Sequence, residues 1–205
     1  MYLKVKRLLD FFFSLTILTL LLPFLLVVAI LIKLDSKGPI IFKQYRIGKN
    51  GAIFKVWKFR TMIHNAEKLG TGLKTAEKDP RITKVGKYLR KLSVDELPQL
   101  INILKGDMSF IGPRPAPVLH LEEYSEKELG RLEVLPGITG WAQVNGRNKL
   151  TWPERIEKDI WYVQNISFWL DTKILLMTLK VVLLSEGVYS GRNDSKVEEV
   201  NRKLS

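Results

Sequence analysis

Residues 93–104, SVDELPQLINIL, place two carboxylates, Asp95 and Glu96, side by side directly before a run with helical spacing. Leu97, Leu100, Ile101 and Leu104 fall at i, i+3, i+4 and i+7, one apolar stripe. Ser93-x-x-Glu96 has the form of a capping box, Pro98 is tolerable only in a first turn, and Gly106 supplies a stop. The two acids are therefore expected at or just before the N-terminus of a short amphipathic helix. Adjacent like charges repel, so the pairing is useful only where something offsets it. A helix N-terminus does so through free N–H groups and the helix dipole. A hard cation does so too, and Mg²⁺ commonly bridges carboxylate to substrate phosphate. Without such surroundings an Asp-Glu pair is merely an acidic cap.

The surroundings are basic and apolar. The 205-residue chain carries 33 Lys and Arg against 21 Asp and Glu, a net charge of +12, which points to polyanionic partners. This length suits one main domain. With no cysteine, disulfides, thiolate metal sites and a Cys nucleophile are excluded. Residues 11–32, FFFSLTILTLLLPFLLVVAILI, contain no charge. A helix of that length, ~33 Å at ~1.5 Å per residue, matches the ~30 Å hydrocarbon layer. The run is too long for a signal peptide, and no small-residue cleavage site follows it. Basic clusters flank both ends: Lys4, Lys6 and Arg7 before, Lys33, Lys37, Lys43, Arg46 and Lys49 after. Both flanks thus satisfy the preference for the cytoplasmic side. Pro23 lies mid-run, where it removes a backbone hydrogen bond. A helix bent at Pro23 that enters and leaves by one face accounts for both observations, with Ser14, Thr16 or Thr19 placed to compensate the lost bond. A spanning helix that tolerates its proline is the other reading.

Further along, residues 39–48 and 52–62 read as β-rich runs around a Lys-Asn-Gly turn, a hairpin. From Lys33 to Arg60 there are eight basic residues and one acid, a face suited to anionic lipid. Residues 64–80 read as a loop, and 83–105 as helical. FIGPRPAP, residues 110–117, is a stiff extended loop carrying Arg114. Residues 120–133 read as one charged helix, 135–148 as Gly-rich turns, and 153–165 and 172–184 as two more helices. The second could be core or lie at a membrane interface. The fold class expected is α+β, mostly helical. The expected division is a membrane-inserted helix over 1–34, a compact cytoplasmic domain over 35–189 with a small hairpin and interfacial amphipathic helices, and a polar tail over 190–205.

Arg81, Arg90 and Arg114 all lie within twenty residues of the dyad. Guanidinium groups recognise phosphate bidentately. Carboxylates, a cation and arginines on stiff loops point to phosphoryl transfer, where catalysis is mostly positioning and charge neutralisation. A carboxylate can itself be the nucleophile. With only His64 and His120 and no Cys, the available metal ligands are hard oxygens, Asp95 and Glu96, and the expected metal is Mg²⁺.

KFRTM (58–62), RKLSVDELPQLINILKGDMSFIGPRP (90–115), PGITGWAQVNGRN (136–148) and DIWYVQNISFWLDTKI (159–174) together resemble the bacterial sugar transferase family, the monotopic phosphoglycosyl transferases. The resemblance runs from about Lys6 to Gly187 and fits the short form. It implies transfer of a sugar phosphate from a UDP-sugar to polyprenyl (undecaprenyl) phosphate at the cytoplasmic face of the bacterial inner membrane. UMP is released, and glycan assembly begins. It implies that Asp95 is the nucleophile and Glu96 its catalytic partner, and that Lys58, Arg60, Arg90 and Arg114 contact substrate, with Arg81 nearby. Asp159 and Asp171 match further polar positions of the family. Gln143, Asn145 and Arg147 are candidate donor contacts, or parts of a structural turn. The family's membrane segment is re-entrant and broken at a proline, here Pro23.

Two other classes compete. A membrane-anchored nucleic-acid or lipid-binding module would account for the net charge, but no nucleic-acid motif is present and the basic residues cluster beside the apolar run. Salt-dependent DNA binding without UMP release would mark it. A non-catalytic scaffold would show a degraded dyad, and Asp95-Glu96 is intact.

Overall fold

The apolar run folds as one helix. α1 (Tyr2–Asp35) is helical at all 34 residues, Pro23 included, and at ~1.5 Å per residue is about 51 Å long. The structure is a computed structural model that describes residues 1–66, 79–146 and 149–183. The part of the expected loop over 67–78, Arg147 and the whole tail lie outside those residues.

One face of α1 lies against the rest of the protein along its whole length. Its buried residues are Lys6, Asp10, Ser14, Val28 and Ile32, and Ile17, Leu18 and Leu25 pack between them. These positions recur at helical spacing, so they form a single stripe. The remaining faces expose Phe12, Phe13, Leu20, Leu22, Leu26 and Ile30. Near its start, Lys6 Nζ lies 2.6 Å from Asp171, and the Arg7 guanidinium donates to the carbonyls of Ile103 and Leu104 at 2.5 and 2.9 Å. The Asp10 carboxylate accepts from Phe110 N at 3.3 Å. At the far end Asp35 accepts from Val85 N at 2.8 Å, and Arg60 donates to the Ser36 carbonyl at 2.6 Å. Both ends are therefore held on the same body. The carbonyl that Pro23 leaves without a partner is that of Thr19. The expected hydroxyls do not serve it: Thr16 and Thr19 donate one turn back to Phe12 O and Leu15 O, and Ser14 Oγ is buried and unpaired.

β1 (Ile41–Ile47) and β2 (Ile53–Phe59) form the expected antiparallel hairpin, in register from Ile41↔Phe59 to Ile47↔Ile53. Asn50 (φ 54°) and Gly51 (φ 79°) supply the left-handed tip. α2 (Lys84–Lys91) and α3 (Gln99–Lys105) follow. The α3 stripe differs from the expected one. Leu100 is buried as expected, but Leu97, Ile101 and Leu104 are half-exposed, while Gln99, Asn102 and Ile103 are buried. The reason is that α3 is packed on two sides, by α1 and by β2.

The Gly-rich stretch hides a strand. β3 (Ser109–Ile111) pairs in parallel with β4 (Gly137–Thr139). A Cβ on Gly137 would lie 2.1 Å from Gly112 N, so glycine here permits backbone-to-backbone contact rather than a turn. The expected helix over 120–133 is instead short turns at Val118–His120 and Gly130–Leu132 around α4 (Glu126–Leu129). Arg131 and Leu132 are buried in the second of these turns, where Arg131 meets Asp159. α5 (Trp141–Val144), α6 (Trp152–Gln164) and α7 (Phe168–Leu183) complete the described chain. Ile111, Val134, Tyr162 and Ile174 join β3, α6 and α7 in one core cluster. The mostly helical α+β class is as expected.

Candidate active site

Asp95 and Glu96 lie on a 3₁₀ turn, Val94–Glu96, just before α3. Ser93 adopts φ 56° and its side chain makes no cap bond, so the capping box does not form. Glu96 is engaged elsewhere. Its Oε1 accepts from Lys58 Nζ at 2.7 Å and from Arg114 at 2.5 Å, and its Oε2 has a 3.4 Å contact to Arg114. Charge-assisted bonds of this kind outweigh a neutral capping bond.

Each partner is held by structure. Asn102 on α3 accepts from Trp57 N at 3.0 Å and donates to Lys55 O at 2.8 Å, which fixes the helix behind the dyad to the strand bearing Lys58. Arg114 sits on the proline loop, which is fastened to β1 by Ile47 N to Ala116 O at 3.0 Å and by a bridge between Arg46 and Pro117. Arg131 donates to the Arg114 carbonyl at 3.0 Å.

The Asp95 carboxylate, by contrast, forms no hydrogen bond or ion pair among the described residues. Burial pushes it above the usual carboxylate range; Lys58 is the largest opposing influence, and Glu96 adds to the rise. Glu96 also feels burial, but the charges of Arg114 and Lys58 outweigh it and hold its carboxyl below the usual range. The environment thus separates two adjacent acids into an anchor paired with two cations and an unpinned carboxylate of raised basicity.

Both acids line an open cavity of about 1310 Å³, with Lys58, Arg60, Arg90, Arg114, Gln143 and Asp159 also on its walls. Arg90 donates to Thr61 Oγ1 at 2.8 Å. Arg60 reaches the cavity, but its guanidinium turns back onto Ser36 and Ile32 and holds the end of α1. Asp159 is pushed up to about 6 by burial, against the pull of Arg131 2.6 Å away. The remaining sequence candidates have structural partners and do not line the cavity. Arg81 pairs with Asp79 at 2.6 Å and donates to Ala66 O. Asn145 donates to Trp141 O one turn back. Asp171 accepts from Tyr2, Lys6 and Tyr162, clamping the start of α1 to α6 and α7.

Sequence reasoning missed Arg46, Arg131 and Arg155, which share the cavity. Burial lowers Arg46 to about 10 and also lowers Arg155, and in both the like charge of Arg114 adds to the effect. Guanidinium groups crowded together in this way make a receptor for more than one anionic group. A signal existed only for Arg155, four residues before Asp159 on one face of α6. No cluster of three or more His, Cys, Asp or Glu occurs among the described residues. Asp95 and the weakly engaged Glu96 Oε2 fit an ion of the Mg²⁺ type, which takes one or two carboxylates and completes its shell with substrate phosphate and water.

The sequence matches the bacterial sugar transferase family over residues 1–185. The chain belongs to that family. It is 46% identical over 183 residues to an uncharacterized sugar transferase, EpsL, of Bacillus subtilis, covering 89% of each chain. It is 43% identical over 195 residues to an undecaprenyl-phosphate glucose phosphotransferase of Komagataeibacter xylinus. Identity is 45% over 194 residues to a UDP-glucose:undecaprenyl-phosphate glucose-1-phosphate transferase of Klebsiella pneumoniae. The latter two matches cover 90% of this chain but only 37% and 41% of those longer proteins. The family match takes in α1, the hairpin, the dyad and the arginine loop together, so the long apolar helix and the cationic cavity are parts of one family unit.

Proposed function

We propose that this sugar transferase moves a sugar 1-phosphate from a UDP-sugar to undecaprenyl phosphate through a covalent intermediate on Asp95. The observation that carries this reading is the unpinned, burial-raised Asp95 carboxylate beside a Glu96 that two cations immobilise. An Asp95 oxygen attacks the phosphorus bearing the sugar, a P–O bond forms, and the bond to the bridging oxygen breaks, releasing UMP with that oxygen. An oxygen of the acceptor phosphate then attacks the same phosphorus, giving the polyprenyl diphosphate sugar and restoring Asp95. Lys58 and Arg114 neutralise the transferring phosphate, with Arg46 and Arg155 placed for the second phosphate of the donor. Mg²⁺ held by Asp95, Glu96 and the diphosphate would add charge neutralisation there. The names of the relatives support the UDP-sugar and the lipid acceptor, and the product class is one that starts a surface polysaccharide. The test is UMP release on mixing enzyme with UDP-sugar alone. One equivalent per enzyme is expected; release only when acceptor is present would overturn the covalent route.

The acid limb of that burst should report Asp95, which must be ionised to attack. Lys58 is the strongest influence holding its pKa down. Lys58→Met therefore moves the limb to higher pH, read from burst rate against pH. A limb that stayed in place would separate Lys58 from Asp95.

The site belongs at the cytoplasmic face of the inner membrane, where UDP-sugars are soluble and the acceptor phosphate sits. A helix with both ends fastened to one domain supports the re-entrant reading, because a spanning helix would carry one end to the far side of the bilayer, off the domain that here holds both. The basic residues of 33–60 would then meet the anionic leaflet. The chain has no cysteine, so single cysteines at the exposed positions Lys4 and Lys37 are clean reporters. Tyr2 is unsuitable because its hydroxyl is bound to Asp171. Both cysteines are expected to resist an impermeant thiol reagent in intact cells and to react once cells are opened. Labelling of Lys4→Cys alone in intact cells would mean that α1 spans.

A further inference from the structure

The cavity is cationic around the dyad, but one stretch of its lining is apolar. Ile17 of α1, Leu97 and Leu100 beside the dyad, Phe110 of β3, Ile138 of β4 and Val181 of α7 supply it. Leu100 is buried and the other five are half-buried. Ile17, Phe110 and Ile138 pack against the core cluster that contains Leu100, so four of the six belong to one apolar body behind the dyad. α1 and α7 each contribute one of these residues, Ile17 and Val181. α7 is fastened to β4 by Thr139 Oγ1 and Thr178 Oγ1 at 2.7 Å, beside Val181.

Both helices present apolar outer surfaces. Leu15, Leu20 and Leu22 are exposed on α1, and Leu175, Leu176 and Leu179 on α7. The apolar lining beside Asp95 is thus supplied in part by two helices whose outer surfaces suit a lipid phase. The molecule that matches such a lining has an anionic head for the arginines and a long branched hydrocarbon tail. A bulk phospholipid has no reason to bring its phosphate to a nucleophile.

We infer that this lining, to which α1 and α7 both contribute, is the binding groove for the isoprenoid chain of the acceptor, the part that delivers its phosphate to Asp95. The inference rests on the transferase reading above and adds to it a location for the tail. Apolar contact here lowers the KM for acceptor without touching the donor.

The test narrows the groove at two lining positions from different helices with Ile17→Trp and Val181→Trp, and uses Leu175→Trp on the exposed face of α7 as a control. Purified full-length protein is assayed with UDP-sugar and undecaprenyl phosphate in vesicles. Each groove variant should raise the KM for undecaprenyl phosphate about tenfold while leaving the KM for UDP-sugar unchanged, as expected from displaced apolar contact. Leu175→Trp should change neither. In wild-type protein, which needs no altered fold, a benzophenone-bearing geranyl phosphate should crosslink to peptides containing Ile17, Phe110 or Val181. Undecaprenyl phosphate should displace it and phosphatidylglycerol should not. Equal displacement by phosphatidylglycerol, adducts confined to other peptides, or an unchanged acceptor KM in both groove variants would overturn the groove. Absence of any UMP release by wild-type protein would instead overturn the transferase reading itself.

Discussion

Asp95→Asn is expected to lower turnover on the order of 10⁴-fold or more, because it removes the attacking oxygen and not an auxiliary contact. The variant should remain folded. Asp95 has no hydrogen-bond or ion-pair partner among the described residues to lose, and its pKa is raised by burial. The linkage sign is definite. A carboxyl whose pKa rises on folding binds its proton more tightly when folded, so its ionisation at neutral pH costs stability. The amide removes that cost, and the melting temperature should hold or rise above pH values where Asp95 would ionise. Inactive and no less stable is the signature of a group kept for chemistry. Glu96→Gln should behave differently. It leaves Lys58 and Arg114 facing a neutral group in a buried setting, so both activity and stability should fall. UMP release and thermal melts on the two variants check the contrast. Near-normal turnover by Asp95→Asn would end the assignment.

Chelation is the second large effect. Excess EDTA should take activity to background, and Mg²⁺ or Mn²⁺ should restore it. The dyad offers oxygen ligands only, and Glu96 Oε2 and Asp95 are the carboxylate oxygens that the nearby cations do not saturate. The cavity also carries enough guanidinium groups to make the opposite outcome informative. Full activity in EDTA would show that Lys58 and the arginines suffice to neutralise the diphosphate.

What the sequence made legible was local. The hairpin followed from alternation around Asn50-Gly51, the α3 stop from Gly106, and the position of the dyad before α3 from Pro98. Long-range pairing was not legible. Asp171 read as a substrate group until the fold brought Lys6 against it from 165 positions away, and Arg81 until its local partner Asp79 appeared. Arg46 reads as one more basic strand residue, because only the long-range pairing of β1 with the arginine loop, Ile47 N to Ala116 O and the Arg46–Pro117 bridge, brings it to the cavity. The α1 sequence reads as an apolar segment bent at Pro23 between basic flanks, with no face docked on the domain. Lys6, Asp10 and Ser14 recur at every fourth position and were the available sign of a docked face. The turns over 118–132 are not legible because the burial of Arg131 depends on Asp159, 28 positions away.

The central claim is that Asp95 becomes covalently attached to the sugar phosphate. Intact mass spectrometry after acid quench of enzyme with UDP-sugar alone measures it directly. The account predicts a mass gain of one sugar phosphate, mapped by fragmentation to Asp95, and lost on adding undecaprenyl phosphate. An unmodified protein under conditions where product forms, or an adduct on another residue, would contradict it.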